Sequence, residues 1–321
     1  MSLPAWARAH GQPLFAAQIR TTPADFDVTE ELAYEFDGEG EHDYLFVEKT
    51  GANTEWVSRQ LAAYAEVPAK DIGYSGLKDR HAVTRQWFSV PRWHSPDWSC
   101  FELSDVSITD VQRHSKKLRR GAHKANRFRI VMRGELADLD DIEQRLDEIR
   151  RSGVPNYYGP QRFGRNGANI ELADSWAAGR RLPRHKRSIA ISSARSFLFN
   201  EYLHKRVEDG SWDKLQAGDI ANLDGTGSIF SIDEIDASLL SRCAEMDIHP
   251  AVELAGDGSA SSHESWQKAF DKARVKPGSR SLRLRVSSLQ SEVGPDSLTL
   301  DFSLGRGAFA TSVLCEIATL S

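Results

Sequence analysis

Asp79 stands between two permanent cations, Lys78 and Arg80, in the run Gly76-Leu77-Lys78-Asp79-Arg80-His81-Ala82-Val83-Thr84-Arg85-Gln86. Flanking positive charge favours the ionised form of a carboxyl, and an ionised carboxyl is a nucleophile. Gly73 and Gly76 permit the tight backbone path of a turn. A solvated cap or a surface ion pair would look the same, so chemistry at this residue alone leaves both readings open. Asn126 and Phe128 form a second constellation. An amide and a ring two residues apart can read and stack on a base, or serve as a turn residue and a core anchor. In Gly305-Arg306-Gly307-Ala308-Phe309 a ring follows a glycine-rich turn that lacks the Lys-Ser/Thr pair and the glycine spacing of nucleotide-binding loops. Its ring reads equally as a hydrophobic first-turn anchor. The stretch from Val154 to Gly167 concentrates aromatics, amides, arginines and glycines. There Arg162 and Arg165 can hold phosphates beside stacking rings, or the whole stretch can be a hinge with a packed aromatic core. His81, His114, His123 and His185 have no metal-ligand spacing and read as polar surface or phosphate contacts.

The elements around Asp79 follow from periodicity. Phe26 and Val28 alternate with polar neighbours, and Tyr44 to Glu48 forms another apolar run beyond an Asp37 to Glu41 turn, which predicts an opening antiparallel hairpin or meander. Val57, Leu61 and Tyr64 are spaced for a helix capped at Asn53 or Thr54. Trp87 to Val90 reads as a strand ending at Pro91, which puts Asp79 on a loop between helix and strand, where scaffolds commonly carry function. Phe128, Ile130 and Met132 alternate with Arg129 and Arg133. Leu139, Ile142, Leu146 and Ile149 make a helical stripe closed by Gly153. Beyond Gly153 the pattern turns helical: a helix capped at Ser192 or Ser193, further helices around 234–245 and 264–274, and a 256–262 loop. Around Pro277 to Arg280 the pattern returns to strands, with alternation in Leu282, Leu284 and Val286 and again from Leu298 to Leu304; the last stretch, Ala310 to Leu320, has helical character. Strand-rich ends around a helix-rich middle predict an α+β protein in which residues 153–284 are inserted into a domain made of 1–152 and 285–321.

Totals exclude several classes. The 321 residues are 40% hydrophobic and 27% charged, enough for two cores and short of the ~20-residue apolar run of a membrane span. Met1-Ser2-Leu3-Pro4-Ala5-Trp6-Ala7-Arg8 shows no basic region leading into an apolar one, the pattern of a secretory leader, so a cytoplasmic location is expected. Cys100, Cys243 and Cys315 are far apart and read as reduced and structural. The net charge of −5 conceals segregation. Acids crowd 25–43, whereas Arg113, Lys116, Lys117, Arg119, Arg120, Lys124, Arg127 and Arg129 follow one another without an acid. Arg180, Arg181, Arg184, Lys186 and Arg187 form a second block. Local positive surface of this kind attracts phosphates, although each block can also be a solvated face.

The run from Gly76 to Gln86, Pro155-Asn156-Tyr157-Tyr158-Gly159-Pro160-Gln161-Arg162-Phe163-Gly164 and Gly307-Ala308-Phe309-Ala310-Thr311-Ser312 together resemble the D family of tRNA pseudouridine synthases. Asp25 to Glu30 and Leu118 to Phe128 match in the same order, so the resemblance spans most of the chain. It implies a pseudouridine-synthase-like catalytic domain with a mixed, largely antiparallel sheet flanked by helices, plus an inserted family-specific domain. It further implies Asp79 as nucleophile, Phe26, Asn126, Phe128 and Phe309 around the target uridine, and uridine 13 of tRNA as substrate. Tyr158 stands where the family more often has Phe, and Arg80 where Lys also occurs. No metal or cofactor is expected, and a monomer is. Lys78, Arg80, Lys116, Lys117, Arg119, Arg120 and Arg162 are the candidates for RNA phosphates. Two rivals remain: a non-catalytic RNA-binding protein using the same basic surface, and a nucleic-acid glycosidase, which would want a second acid near Asp79.

Overall fold

The computed structural model describes residues 3–259 and 261–321; Met1 and Ser2 of the leader reading and Ala260 of the 256–262 loop lie outside the described residues. The chain divides into two compact units. One comprises Leu14–Leu139, Ser287–Gly307 and Ala318–Ser321, the other Met1–Pro13, Asp140–Val286 and Ala308–Ile317.

The first unit is built on an eight-stranded mixed sheet. In spatial order its strands are Ser287–Gly294, Ser297–Gly305, His123–Arg133, Phe26–Leu32, Val83–Pro91, His42–Thr50 and Val106–His114, with the short Gly73–Tyr74 added beside Val83–Pro91. Every pairing is antiparallel except that of Phe26–Leu32 with Val83–Pro91. The expected opening hairpin is therefore absent. Val83–Pro91, nearly continuously buried, takes the slot between Phe26–Leu32 and His42–Thr50, as the apolar run from Trp87 to Val90 allows. Period-two alternation holds in the outer strands. Leu298, Leu300, Phe302 and Leu304 are all buried, as are Phe128, Ile130 and Met132. On the opposite face Arg127 pairs with Asp301 at 2.8 Å and Arg129 with Glu292 at 2.9 Å, so the arginine-bearing face is neutralised by acids. The helix Thr54–Tyr64 covers the sheet with Val57 and Leu61, packed on Leu45, Val47, Phe88 and Val90. The end of the chain turns from a short helix, Ala310–Cys315, to a strand, Ala318–Leu320, that pairs in parallel with Phe15–Ala17; the helical reading of that end holds only for its first part.

The second unit carries four antiparallel strands, ordered Ile229–Ser231, Ile220–Leu223, Ile248–Leu254 and Gly278–Ser281; the last lies where the pattern returns to strands, and the helical reading of this region missed the other three. They are short, and three residues give too little alternation to see. Its longest helix is Arg184–Glu208, starting after Pro183 rather than at Ser192 or Ser193, which lie inside it. This places Arg184, Lys186 and Arg187 at a helix N-terminus with no acid in the first turn, against the dipole's preference. The helix Leu139–Ser152 buries Ile142, Leu146 and Ile149, while Leu139, read as part of that stripe, is exposed. Gly153 follows with φ +74°, and a Cβ there would stand 2.4 Å from the Leu284 carbonyl oxygen. Core packing centres on Phe163, Ile170, Trp266 and Phe270. Cys243 is buried, whereas Cys100 is exposed and has no core role. Among the described residues no helix is long and apolar enough to cross a membrane.

Candidate active site

Asp79 lies on the irregular turn between the strands Gly73–Tyr74 and Val83–Pro91, with its side chain 56% exposed. Its ionic partner is neither neighbour. Arg20 Nη2 donates to Asp79 Oδ2 at 2.6 Å, and the same guanidinium lies 4.0 Å over the ring of Phe26. Arg20 has φ +61°, a left-handed backbone that costs a non-glycine residue about 1–2 kcal/mol and persists where surrounding contacts enforce it. Its Nε is buried without a hydrogen-bond partner.

Lys78 and Arg80 are turned elsewhere, which corrects the charge assignment made from sequence. Lys78 Nζ donates to Glu30 Oε2 at 2.7 Å in a buried pair, and Arg80 Nε donates to the Gly51 carbonyl at 2.8 Å. Glu30 is drawn inside by the alternation that also buries Phe26 and Val28. It needs a cation there, because an unpaired buried carboxylate is costly. Lys78 is thus a structural counter-ion.

Three further side chains fix the turn by its backbone. Gln86 Nε2 donates to the Gly76 carbonyl at 3.1 Å, and the Lys78 N–H donates to Thr54 Oγ1 at 3.0 Å. Thr54 in turn donates to Gln86 Oε1 at 2.8 Å. Lys49, fully buried, donates to the carbonyls of Ala52 at 2.8 Å and Asp79 at 3.3 Å. Burial pulls the Lys49 ammonium down to about 8, against the opposing pull of Asp79. The nucleophile candidate is held by a helix start, a sheet strand and an inward lysine.

Phe26 and Phe128 meet edge to face with centroids 6.2 Å apart, and Phe128 stacks on Phe302 at 5.5 Å. Both Phe26 and Phe128 are buried, so their core reading is sound, and Phe26 reaches Asp79 through Arg20. Asn126 Oδ1 is a buried acceptor without a partner. His123 Nδ1 meets Ser75 Oγ at 2.5 Å; burial, with Lys78 and Arg306 nearby, pulls the imidazole down to about 4, so it is neutral at pH 7. It is an inward contact rather than the surface histidine expected.

Phe309 belongs to the second unit, where its ring lies 6.0 Å from Tyr158. Arg280 sits 3.9 Å over Tyr158 and Arg162 5.2 Å from it. Asn156 donates to the Ser281 carbonyl and accepts from Arg280, and Phe163 is fully buried. The 154–167 stretch is therefore packed aromatic core over much of its length, with Arg165 exposed. Lys116, Lys117, Arg119 and Arg120 are exposed around the buried anchor Leu118. Among the described residues no three His, Cys, Asp or Glu side chains gather closely enough to hold a metal ion.

Arg20, Lys49, Thr54 and Glu30 were missed as site residues. Lys49 and Glu30 had a signal, since each occupies an inward position of an alternating strand; Arg20, in irregular chain before a strand, had none.

A sequence model of the family described as tRNA pseudouridine synthase D (TruD) matches residues 8–173 and 168–277. The tRNA pseudouridine synthase D of Methylococcus capsulatus is 41% identical over 329 residues, covering 97% of this chain and 93% of its own. That of Cellvibrio japonicus is 42% identical over 329 residues, covering 98% and 93%. A crystal structure from Methanosarcina mazei, described under the same family name, superposes with a TM-score of 0.73 at 20% identity, covering 98% of this chain and 96% of its own.

Proposed function

The chain belongs to the tRNA pseudouridine synthase D family and is a tRNA pseudouridine synthase, an isomerase, and on that premise we propose how its residues carry the reaction. Asp79 is the nucleophile. The observation that carries this reading is a solvent-accessible carboxylate ion-paired to Arg20 on a turn pinned at three backbone points. The reaction breaks the bond between N1 of uracil and C1′ of the ribose, turns the detached base, and forms a bond from C5 to C1′. C5 gives up its proton and N1 gains one, so nothing is oxidised or reduced. A carboxylate that adds covalently, to C1′ or to the base, splits this rearrangement into smaller steps.

Arg20 holds the Asp79 carboxylate in place until the target arrives. The flipped uridine would take a place beside Phe26 and Phe128, with the orphaned Asn126 Oδ1 accepting from an N–H of the base. Phe309, from the second unit, is assigned to the same uridine on the strength of the family resemblance. Lys116, Lys117, Arg119, Arg120 and Arg162 take tRNA phosphates, joined by the basic start of the helix Arg184–Glu208. We take residues 153–284 as the family-specific insert in a catalytic domain of 1–152 and 285–321; by compactness 3–13, 140–152, 285–286 and 308–317 group with the insert, so these bounds follow the family resemblance and not the packing. We place the activity in the cytoplasm, in a monomer, on uridine 13.

The test is release of tritium from C5-labelled uridine in tRNA. Asp79→Asn abolishes release while tRNA affinity and thermal stability stay at the wild-type level; turnover by that variant would sink the assignment. Appearance of free uracil would instead indicate a glycosidase, a reading disfavoured because Glu30, the acid nearest in the turn's own contacts, is tied to Lys78.

A further inference from the structure

A cavity of about 540 Å³ opens in the first unit beside the turn, between the helix Thr54–Tyr64, the segment from Ala69 to Tyr74, and the loop from Lys117 to Arg120. Five cations line it, Arg59, Lys70, Lys117, Arg119 and Arg120, against one carboxylate, Glu55. All five are exposed, and among the described residues none makes an ion pair. Lys117 spends its ammonium on the Lys70 carbonyl, at 2.7 Å. Like charges crowded around a concavity repel one another, and an anion bound inside removes that cost.

The cavity is constructed rather than incidental. Its floor is Tyr74, which packs on Phe88 at 5.8 Å and carries the Arg120 guanidinium 3.7 Å over its ring. The loop that supplies three of the cations is held by Leu118, buried, whose N–H donates to Ser89 Oγ at 2.9 Å. That approach depends on Gly73, where a Cβ would stand 2.4 Å from both the Leu118 carbonyl oxygen and Ser89 Oγ. A planar guanidinium stacked on a phenol offers its free face to a base, and the surrounding ammonium and guanidinium groups suit phosphates. The volume lies within the range of small-ligand sites and suits one nucleotide rather than a helix.

We propose that this cavity binds a single nucleotide of the RNA substrate, separate from the reacting uridine, through Arg59, Lys70 and the Arg120–Tyr74 stack. The chain fixes how far from the target it lies. Tyr74 precedes Asp79 by five residues, so their Cα atoms are at most about 17 Å apart. The bound nucleotide therefore belongs to the strand that carries the target or to one folded against it. The inference rests on the tRNA reading above and adds to it a second, non-reacting recognition point.

The experiment pairs Arg59→Ala with Lys70→Ala and follows tritium release from tRNA at several salt concentrations. KM rises about tenfold with kcat unchanged, and the slope of log KM against log salt falls by about 1.5, the signature of two lost phosphate contacts. Unchanged KM and slope would overturn the proposal, while turnover in the same variant would leave the Asp79 reading standing. A competitor separates a strand nucleotide from a free one. If the ligand is part of the RNA, millimolar 5′-AMP competes with tRNA, raising KM with kcat unchanged, and this effect disappears in the double variant; inhibition that lowers kcat and that excess tRNA does not relieve would overturn the assignment to RNA in favour of a free nucleotide.

Discussion

At the scale of single residues, the carboxylate proposed as nucleophile takes its ionic partner from far away in sequence. Lys78 and Arg80, its neighbours, are engaged by Glu30 and by the Gly51 carbonyl, and Arg20 is the cation in contact. Replacing Arg20 by Met removes both the ion pair and the cover over Phe26, and kcat for tritium release falls about 100-fold or more, the usual cost of removing a charge aimed at the reacting group. Arg20→Lys keeps charge without the planar stack and recovers part of that loss. Loss of less than about threefold in the Met variant would show that Arg20 is a bystander. The turn that carries Asp79 was legible in the sequence because a motif marked it; the partner of Asp79 was not, because ion pairs between irregular segments leave no periodic trace. Glu30 and Lys49 were legible in principle. A charged residue in the inward phase of a strand must find a counter-charge or carbonyls, and both do.

At the scale of elements, the turn's rigidity comes from what flanks it. Gln86 belongs to the doubly buried strand Val83–Pro91, Thr54 begins a helix, and Gly73 lets the basic loop close against the sheet edge. Gly73→Ala forces that loop outward. We expect a loss of about 1–3 kcal/mol in urea unfolding, as for other overpacked positions, with weaker tRNA binding and Asp79 chemistry retained on the RNA that does bind. Wild-type stability and affinity together would mean that the loop yields freely. The helices and long strands of the first unit followed from spacing, since six to eight residues give alternation room to appear. What spacing could not give was order: the parallel neighbour of Phe26–Leu32 is a strand more than fifty residues later, chosen by burial on both faces. In the second unit strands of three and four residues escaped notice for lack of length, and Ile248–Leu254 escaped because its first four residues are all buried and do not alternate.

At the scale of the whole molecule, titration and charge layout set the conditions of work. Burial raises Glu316 from 4.5 to about 7, although the His10 N–H at 3.0 Å and Arg145 and Arg8 pull the other way. A carboxyl whose folded value lies above its unfolded one binds its proton more tightly in the native state. Its contribution is complete below pH 4.5 and is lost as pH rises to about 7. Relative to Glu316→Gln, wild-type stability in urea therefore declines over that window and runs parallel above it; parallel curves throughout would remove Glu316 as the cause. One consequence of the exposed Arg20–Asp79 pair concerns water. Asp79, the proposed nucleophile, is open to solvent, and an ion pair so exposed is worth no more than about 1 kcal/mol. Its reactivity must rise when that hydration shell is stripped, and the chain's own groups leave the shell in place. The tRNA that brings the uridine is then also the cover that dehydrates the acid, so a free nucleoside, too small to displace those waters, presents the right base to a nucleophile still in solution.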